Sequence, residues 1–140
     1  MTLARTTFFG RTREKERLAE LLDSVPLVTL TGVGGVGKTR LAAELAGEFA
    51  GEVRWCELAA LRSDDAVAPA VSSVLRRDDA EAAPATAVAE ALEGSDVLLV
   101  LDNCEHVLEG AADLVDRVIP AVTDARIVAT SREPLGVEGE

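Results

Sequence analysis

The stretch LVTLTGVGGVGKTRLAAELA, residues 27–46, changes its character twice. It begins with residues that favour β structure, passes through a glycine-rich loop, and continues with alanines and leucines at helical spacing. Apolar and β-branched residues favour strands, whereas alanine and leucine are strong helix formers. The stretch therefore predicts a strand, a glycine loop and a helix in direct succession, and Gly51 ends the helical pattern.

The loop itself reads GVGGVGKT and fits the pattern G-x-x-x-x-G-K-[ST] at every fixed position. Glycines let the backbone approach a phosphate closely, and the following helix adds its positive N-terminal end. Lys38 then supplies a charge for the β- and γ-phosphates, and Thr39 supplies a hydroxyl ligand for Mg²⁺. An ordinary glycine turn is the alternative, but the strand before the loop and the helix after it favour phosphate binding. The predicted nucleotide-binding residues are Gly32, Val33, Gly34, Gly35, Val36, Gly37, Lys38, Thr39 and Arg40.

A second stretch, VLLVLDNCEHV at residues 97–107, is an apolar run that ends at Asp102. A strand without polar interruption is typical of a parallel sheet covered on both faces. In proteins with such a glycine loop, an acid at the end of a second strand lies near the Mg²⁺. We therefore predict that Asp102 coordinates Mg²⁺, usually through water, together with Thr39; a helix N-cap is the alternative role for this carboxylate.

The rest of the chain alternates between strand and helix patterns. Helices are predicted at 12–23, 38–50 and 107–122, with two short helices in the alanine-rich segment 64–93, which Pro69 and Pro84 interrupt. Further strands are predicted at 52–58, 96–102 and 125–132. This alternation predicts an α/β three-layer sandwich with a mostly parallel sheet and right-handed crossovers.

Composition limits the class of protein. With 140 residues, 48% of them hydrophobic, the chain suits one globular domain. The sequence has no apolar run long enough to span a bilayer and no signal-peptide pattern at its N-terminus, so we predict a cytoplasmic protein without membrane contact. A net charge of -11 argues against binding of nucleic acid by this segment itself.

Four stretches together resemble a known family. FFGRTREKERLAELL, LVTLTGVGGVGKTRLAAELA, VLLVLDNCEHV and IVATSREPLGVEGE follow one another as in the nucleotide-binding core of STAND NTPases. The chain is most similar to the NB-ARC-like variety in bacterial transcriptional regulators of the SARP and LuxR types. This resemblance implies that Gly10 and Arg11 contact the adenine and its surroundings. It also implies that Asp102 is the Walker B acid, and that the strand RIVAT lies between the Walker A and Walker B strands.

Arg132 matches the sensor arginine that reads the γ-phosphate in this family. The residues support that role independently, because Arg132 follows a predicted strand whose carboxyl end should face the ligand. The guanidinium group can pair with two phosphate oxygens at once. A surface arginine at a strand exit is the alternative. The predicted catalytic residues are thus Lys38, Asp102 and Arg132.

Two departures from the family pattern affect the predicted function. Asn103 stands where rapid ATPases with this strand order commonly place a glutamate, and an amide cannot accept the proton of an attacking water. Glu105 is the nearest alternative carboxylate, or else an exposed charge at the start of the next helix. The second departure is length: residues 1–140 are predicted to form a partial nucleotide-binding domain that lacks the last strand, the helical lid and the winged-helix region. The Walker A strand would then be an unprotected edge of the sheet.

The predicted function is a conformational switch that binds ATP or ADP with Mg²⁺ and hydrolyses ATP slowly. Its predicted partners are an adenine nucleotide, regulatory and output domains outside this chain and, through self-association, further copies. DNA would be contacted only by those output domains. Two alternatives stay open: an autonomous small kinase or GTPase, although the guanine-specific N-K-x-D motif is missing, and an interaction module that keeps nucleotide for stability without hydrolysing it.

A zinc site is the competing interpretation of the segment around Asp102. Structural zinc needs four ligands, mostly thiolate or imidazole, and the sequence offers only Cys56, Cys104 and His106 without paired spacing. The two cysteines are better interpreted as free thiols that fill the core of the sheet. His106 is interpreted as structural, for example as a cap of the next helix.

Overall fold

The computed structural model describes residues 11–31, 37–75, 83–121 and 124–132. Within these ranges the α-helices are α1 (Arg11–Ser24), α2 (Lys38–Glu48), α3 (Val67–Leu75), α4 (Pro84–Leu92) and α5 (Leu108–Val118). The strands are β1 (Leu27–Thr31), β2 (Glu52–Glu57), β3 (Val97–Asp102) and β4 (Arg126–Ser131). Short 3₁₀ turns lie at Asp64–Ala66, Cys104–Val107 and Ile119–Ala121. The described helices include none that is long and apolar enough to cross a membrane.

The four described strands form one parallel sheet in the order β1-β4-β3-β2. β4 therefore lies between β1, which precedes the glycine loop, and β3, which ends at Asp102. This order confirms the predicted position of the sensor strand between the Walker A and Walker B strands. All carboxyl ends lie at one edge of the sheet, where ligands bind in open α/β sheets.

Helices cover both faces of the sheet, which confirms the predicted three-layer sandwich. Alternate residues of β3 separate the two cores: Leu98 and Val100 pack with α1 and α2, whereas Leu99 and Leu101 pack with α3, α4 and α5. Successive side chains of a strand point to opposite faces, so a strand between two helical layers must be apolar throughout. The six residues of β3 are all buried, as this geometry requires.

β1 and β2 are the edges of the sheet formed by the described residues. In that described sheet β1 pairs on one side only, with β4, and its five residues are all buried. β2 alternates exposed and more buried residues, and its exposed side carries an ion pair between Arg54 and Glu52. Charged residues of this kind discourage pairing with a strand of another chain.

Two details differ from the sequence prediction. Pro69 does not interrupt a helix, because it lies in the first turn of α3, where the missing N–H group has no helical partner to lose. A helix was predicted at 107–122, but the α-helix extends only over Leu108–Val118. The residues directly before Leu108 and those around Pro120 form 3₁₀ turns instead. Pro84 lies at the start of α4, a position that proline favours.

Candidate functional site

Asp102 is the central group at the carboxyl edge of the sheet. Its side chain is buried at the end of β3 and accepts hydrogen bonds from two hydroxyl groups. The Oγ1 of Thr39 donates to Oδ1 at 3.0 Å and lies 3.2 Å from Oδ2. The Oγ1 of Thr130 donates to Oδ1 at 2.5 Å. The fold thus brings together Asp102 and Thr39, the two residues predicted to share Mg²⁺, from positions 63 residues apart.

Thr130 connects this carboxylate to the following turn. It is fully buried in β4, in the same alternation as Val128, so its side chain faces the layer of α1 and α2. While its hydroxyl donates to Asp102, it accepts the backbone N–H of Asn103 at 2.9 Å. One hydroxyl therefore orients both the carboxylate and the chain that follows it.

Lys38 lies at the start of α2, directly after Gly37. Gly37 has φ 87° and ψ 16°, a left-handed conformation that glycine adopts without strain. Lys38 is only 7% exposed. Burial lowers the pKa of Lys38, the negative charge of Glu105 opposes this, and the charges of Arg132 and Asp102 act in opposite directions with smaller effect. The other three charged groups are thus close enough to influence Lys38.

The other predicted contacts differ in what the structure describes. Arg132 is exposed directly after β4, and its positive charge lowers the pKa of Lys38. Arg40 has a side chain that is 76% exposed and pairs with Glu44 at 3.6 Å along α2. Arg11 is the first residue of α1, while Gly10 and residues 32–36 lie outside the described residues. The roles assigned to all of these residues stay predictions.

Asn103 is held in an unusual conformation beside Asp102. Its φ of 62° and ψ of 59° place it in the left-handed region, which asparagine tolerates better than most residues. Its Nδ2 donates to Glu57 at 3.0 Å to Oε1 and 3.2 Å to Oε2. Glu57, at the carboxyl end of β2, also accepts the backbone N–H of Ala59 at 2.8 Å. Both side chains of this pair are therefore engaged.

The surroundings of Asp102 favour a nearby cation. Burial raises the pKa of Asp102, hydrogen bonds from Thr130 and Thr39 lower it, and the negative charge of Glu57 raises it again. A positive ion beside the carboxylate would offset both the burial and the repulsion from Glu57. Hydroxyl and carboxylate oxygens are also the ligand types that Mg²⁺ prefers.

The cysteines lie within the sheet and its following turn. Cys56 and Cys104 are buried free thiols, and burial raises both of their pKa values, that of Cys56 to about 11. His106 is exposed. Across the ranges that the structure describes, no group of three or more His, Cys, Asp or Glu side chains is placed to hold a metal ion.

Sequence reasoning missed two side chains at this edge of the sheet. Thr130 is part of the stretch IVATSR, and a hydroxyl near the end of an otherwise apolar strand could have indicated a polar contact at this edge of the sheet. Glu57 ends β2, and its register opposite Asp102 becomes visible only once β2 and β3 are known to be neighbours. Both residues act on Asp102, one by a hydrogen bond and the other by its charge.

Two mycobacterial relatives match most of the chain. An uncharacterized protein of Mycobacterium tuberculosis strain H37Rv is 36% identical over 143 residues, which cover 96% of this chain and 36% of the relative. A putative HTH-type transcriptional regulator of the same strain is 40% identical over 128 residues, covering 86% of this chain and 14% of the regulator. The chain thus spans about a third of the first relative and a smaller part of the second.

Two solved structures share the fold at low sequence identity. Cdc6p from Pyrobaculum aerophilum superposes with a TM-score of 0.63 and 18% identity, over 93% of this chain and 41% of that one. A STAND protein with a tetratricopeptide repeat sensor from Pyrococcus horikoshii gives a TM-score of 0.61 and 19% identity, over 99% and 23%.

A family model describes the chain most directly. The model of the AAA ATPase domain matches residues 7–130, which include β1, the glycine loop, β3 with Asp102, and β4 up to Thr130. The chain belongs to the AAA ATPase domain family.

Proposed function

We propose that the chain is an adenine-nucleotide switch module of the STAND type. It binds ATP or ADP with Mg²⁺ at the carboxyl edge of the sheet, hydrolyses ATP slowly, and passes the resulting change to regulatory and output domains. The contact between Thr39 and Asp102 beside the buried Lys38 carries this proposal. These are the three side chains that the phosphate-binding loop and the acid-ended strand supply in nucleotide hydrolysis.

The residues present fit a magnesium ion that is shared with phosphates. Mg²⁺ usually takes one or two protein ligands and completes its octahedron with phosphate oxygens and water. Thr39 and Asp102 would hold it here, and when bound it would neutralise charge that develops on the phosphates. Lys38 and Arg132 add two positive charges at the same edge of the sheet. The chain's own contribution is therefore positioning and charge compensation.

The slow rate follows from the residue after the acid. Asn103 donates its amide to Glu57, and an amide cannot take a proton from water. A site of this kind retains nucleotide longer than a fast ATPase does. Long retention suits a switch, in which the occupancy of the site, more than its turnover, determines the arrangement of attached domains.

The regulatory setting is supported by resemblance. The STAND-like motifs of the sequence agree with the solved STAND protein at the level of fold, and one relative is named a putative HTH-type transcriptional regulator. We propose that DNA is contacted through such attached domains and not by this acidic chain. Gly10 and Arg11 are proposed to contact the adenine, and Arg132 to sense the γ-phosphate.

Isothermal titration with Mg²⁺-ATP and Mg²⁺-ADP tests the binding step. Lys38→Ala should weaken ATP binding at least ~100-fold, equivalent to about 2.7 kcal/mol, because a charge facing the phosphates is lost. Arg62→Ala, which removes an exposed positive charge outside the site, should bind like the wild type. Equal binding by Lys38→Ala would refute the assignment of the site, and phosphate release faster than ~1 per second would favour an autonomous enzyme over a switch.

A further inference from the structure

Glu105 has a side-chain oxygen with an unusual environment. It lies in the 3₁₀ turn Cys104–Val107, three positions after Asp102. Its Oε1 is buried and has no hydrogen-bond partner within the described part of the chain. An unpaired buried acceptor costs about 1–3 kcal/mol, and more when it is charged. Such an atom indicates a donor that arrives with a ligand or an ordered water.

The position of Glu105 places that donor near Lys38. Its charge is the strongest of the charges acting on Lys38, the residue proposed to contact the β- and γ-phosphates. Because electrostatic influence falls with distance, Glu105 belongs to the same edge of the sheet. The sequence prediction of an exposed charge at the start of a helix is therefore incomplete, since one carboxylate oxygen is turned away from solvent.

The neighbouring carboxylates are already engaged. Asp102 accepts the hydroxyl groups of Thr39 and Thr130. Glu57 accepts the side-chain amide of Asn103 and the backbone N–H of Ala59. Of the two acids whose charge acts on Lys38, only Glu105 has a buried oxygen without a partner in the described residues.

We propose that Glu105, and not residue 103, is the carboxylate that binds and deprotonates the attacking water; this rests on the proposed hydrolysis of ATP. The water oxygen forms a bond to the γ-phosphorus while the bond between that phosphorus and the β,γ-bridging oxygen breaks. The water proton passes to Glu105 and then to the released phosphate. ADP and inorganic phosphate are the products, and no group is oxidised or reduced.

The test compares Glu105→Gln with Glu109→Gln in the full 140-residue chain. Glutamine keeps the size of the side chain but removes its basicity, and Glu109 is an exposed acid in the first turn of α5. Mg²⁺-ATP affinity is measured by titration, single-turnover hydrolysis by quenched flow, and retained nucleotide by chromatography after denaturation. Glu105→Gln should bind ATP as tightly as the wild type or more tightly, hydrolyse it at least ~100-fold more slowly, and release intact ATP on denaturation. Glu109→Gln should match the wild type in all three.

Each other outcome has a definite meaning. The inference is overturned if Glu105→Gln hydrolyses ATP at the rate of the wild type. It is also overturned if Glu57→Gln loses hydrolysis while the rate of Glu105→Gln is unaffected. Joint loss of ATP binding and hydrolysis in a folded Glu105→Gln makes the residue a binding residue and also overturns it. If Glu105→Gln does not fold, Glu105→Asp, which withdraws the carboxylate by one methylene, must slow hydrolysis ~10-fold or more at unchanged affinity.

The inference and the proposed function fail in distinguishable ways. A wild-type chain that binds ATP without hydrolysing it removes the hydrolytic part of the proposed function, and this inference with it. A wild-type chain that hydrolyses ATP as fast as Glu105→Gln removes the inference alone.

Discussion

Replacing Thr130 by valine removes the hydroxyl that joins Asp102 to Asn103. Valine matches threonine in shape, so the core beside Val128 should stay filled. The substitution deletes the 2.5 Å hydrogen bond to Asp102 and leaves the backbone N–H of Asn103 without the acceptor that it now reaches at 2.9 Å. Thr130→Ser is the matched control, since it keeps the hydroxyl and loses only a methyl group.

The magnitude follows from these two bonds. A hydrogen bond to a charged group contributes about 1.5–3 kcal/mol, and a buried N–H without a partner costs about 1–3 kcal/mol. Because Thr130 is 0% exposed, water cannot easily replace either interaction. We expect Thr130→Val to lower the free energy of unfolding by about 3 kcal/mol. Thr130→Ser should lower it by about 1 kcal/mol, the transfer free energy of one methyl group.

Urea denaturation without nucleotide measures this difference. The single tryptophan, Trp55 in β2, is partly buried and reports unfolding by its fluorescence. Titration with Mg²⁺-ATP then shows whether the site is affected as well, because Asp102 loses one of its two orienting partners. If Thr130→Val is as stable as Thr130→Ser or more stable, the hydroxyl network does not hold the site together and Thr130 is only a core residue.

Two further predictions concern the structure around the site. Burial, assisted by the charge of Glu57, raises the pKa of Cys56 from 9.0 to about 11. Because the folded protein then holds this proton to higher pH than the unfolded chain, its free energy of unfolding should fall by roughly 2 kcal/mol as pH rises from 9 to 11. Urea titrations across this range should show a flatter pH profile of the free energy of unfolding for Cys56→Ala, and the same profile as in the wild type would contradict this. Gly110→Ala should lower the free energy of unfolding by about 1–3 kcal/mol, because a Cβ would lie 2.5 Å from the backbone oxygen of Asp64. Gly47→Ala, where a Cβ would meet nothing within 4 Å, should raise the free energy of unfolding by about 0.5–1 kcal/mol. Equal effects of the two substitutions in urea denaturation would refute the steric argument.

The elements of the fold could be predicted from periodicity, but their arrangement could not. Alternating strand and helix patterns predicted the four described strands and the helices α1, α2 and α5 close to their observed bounds. They also predicted two short helices, without individual bounds, in the segment 64–93 that contains α3 and α4. The position of β4 between β1 and β3 came from family resemblance, and the place of β2 beside β3 was not predicted. Periodicity within a strand does not indicate which strands are its neighbours. Pro69 was misjudged because a proline in a first helical turn and one that breaks a helix look alike until the start of the helix is known.

Residues of the candidate site could be predicted where a particular residue type, at a fixed place in a sequence motif, implies a particular chemistry. Lys38, Thr39 and Asp102 met that condition, and the structure places their side chains together. The partners of Asp102 did not meet it. Thr130 matters because β4 lies beside β3 and its side chain faces the same layer, and Glu57 matters because its register is opposite Asp102. Such contacts depend on which strands are neighbours and which faces they share, and the sequence states neither.

Local geometry, as much as function, accounts for a neutral residue at position 103. Position 103 has a φ of 62°, which a glutamate would adopt less readily than asparagine. Its side chain reaches Glu57, so a glutamate there would exchange a hydrogen bond for repulsion between two carboxylates. The same left-handed residue directly precedes the 3₁₀ turn that carries Glu105, whose Oε1 is buried. Backbone conformation and the charge of Glu57 thus both disfavour a carboxylate at position 103, and the base that we propose lies two residues later, at Glu105, in the turn that Asn103 caps.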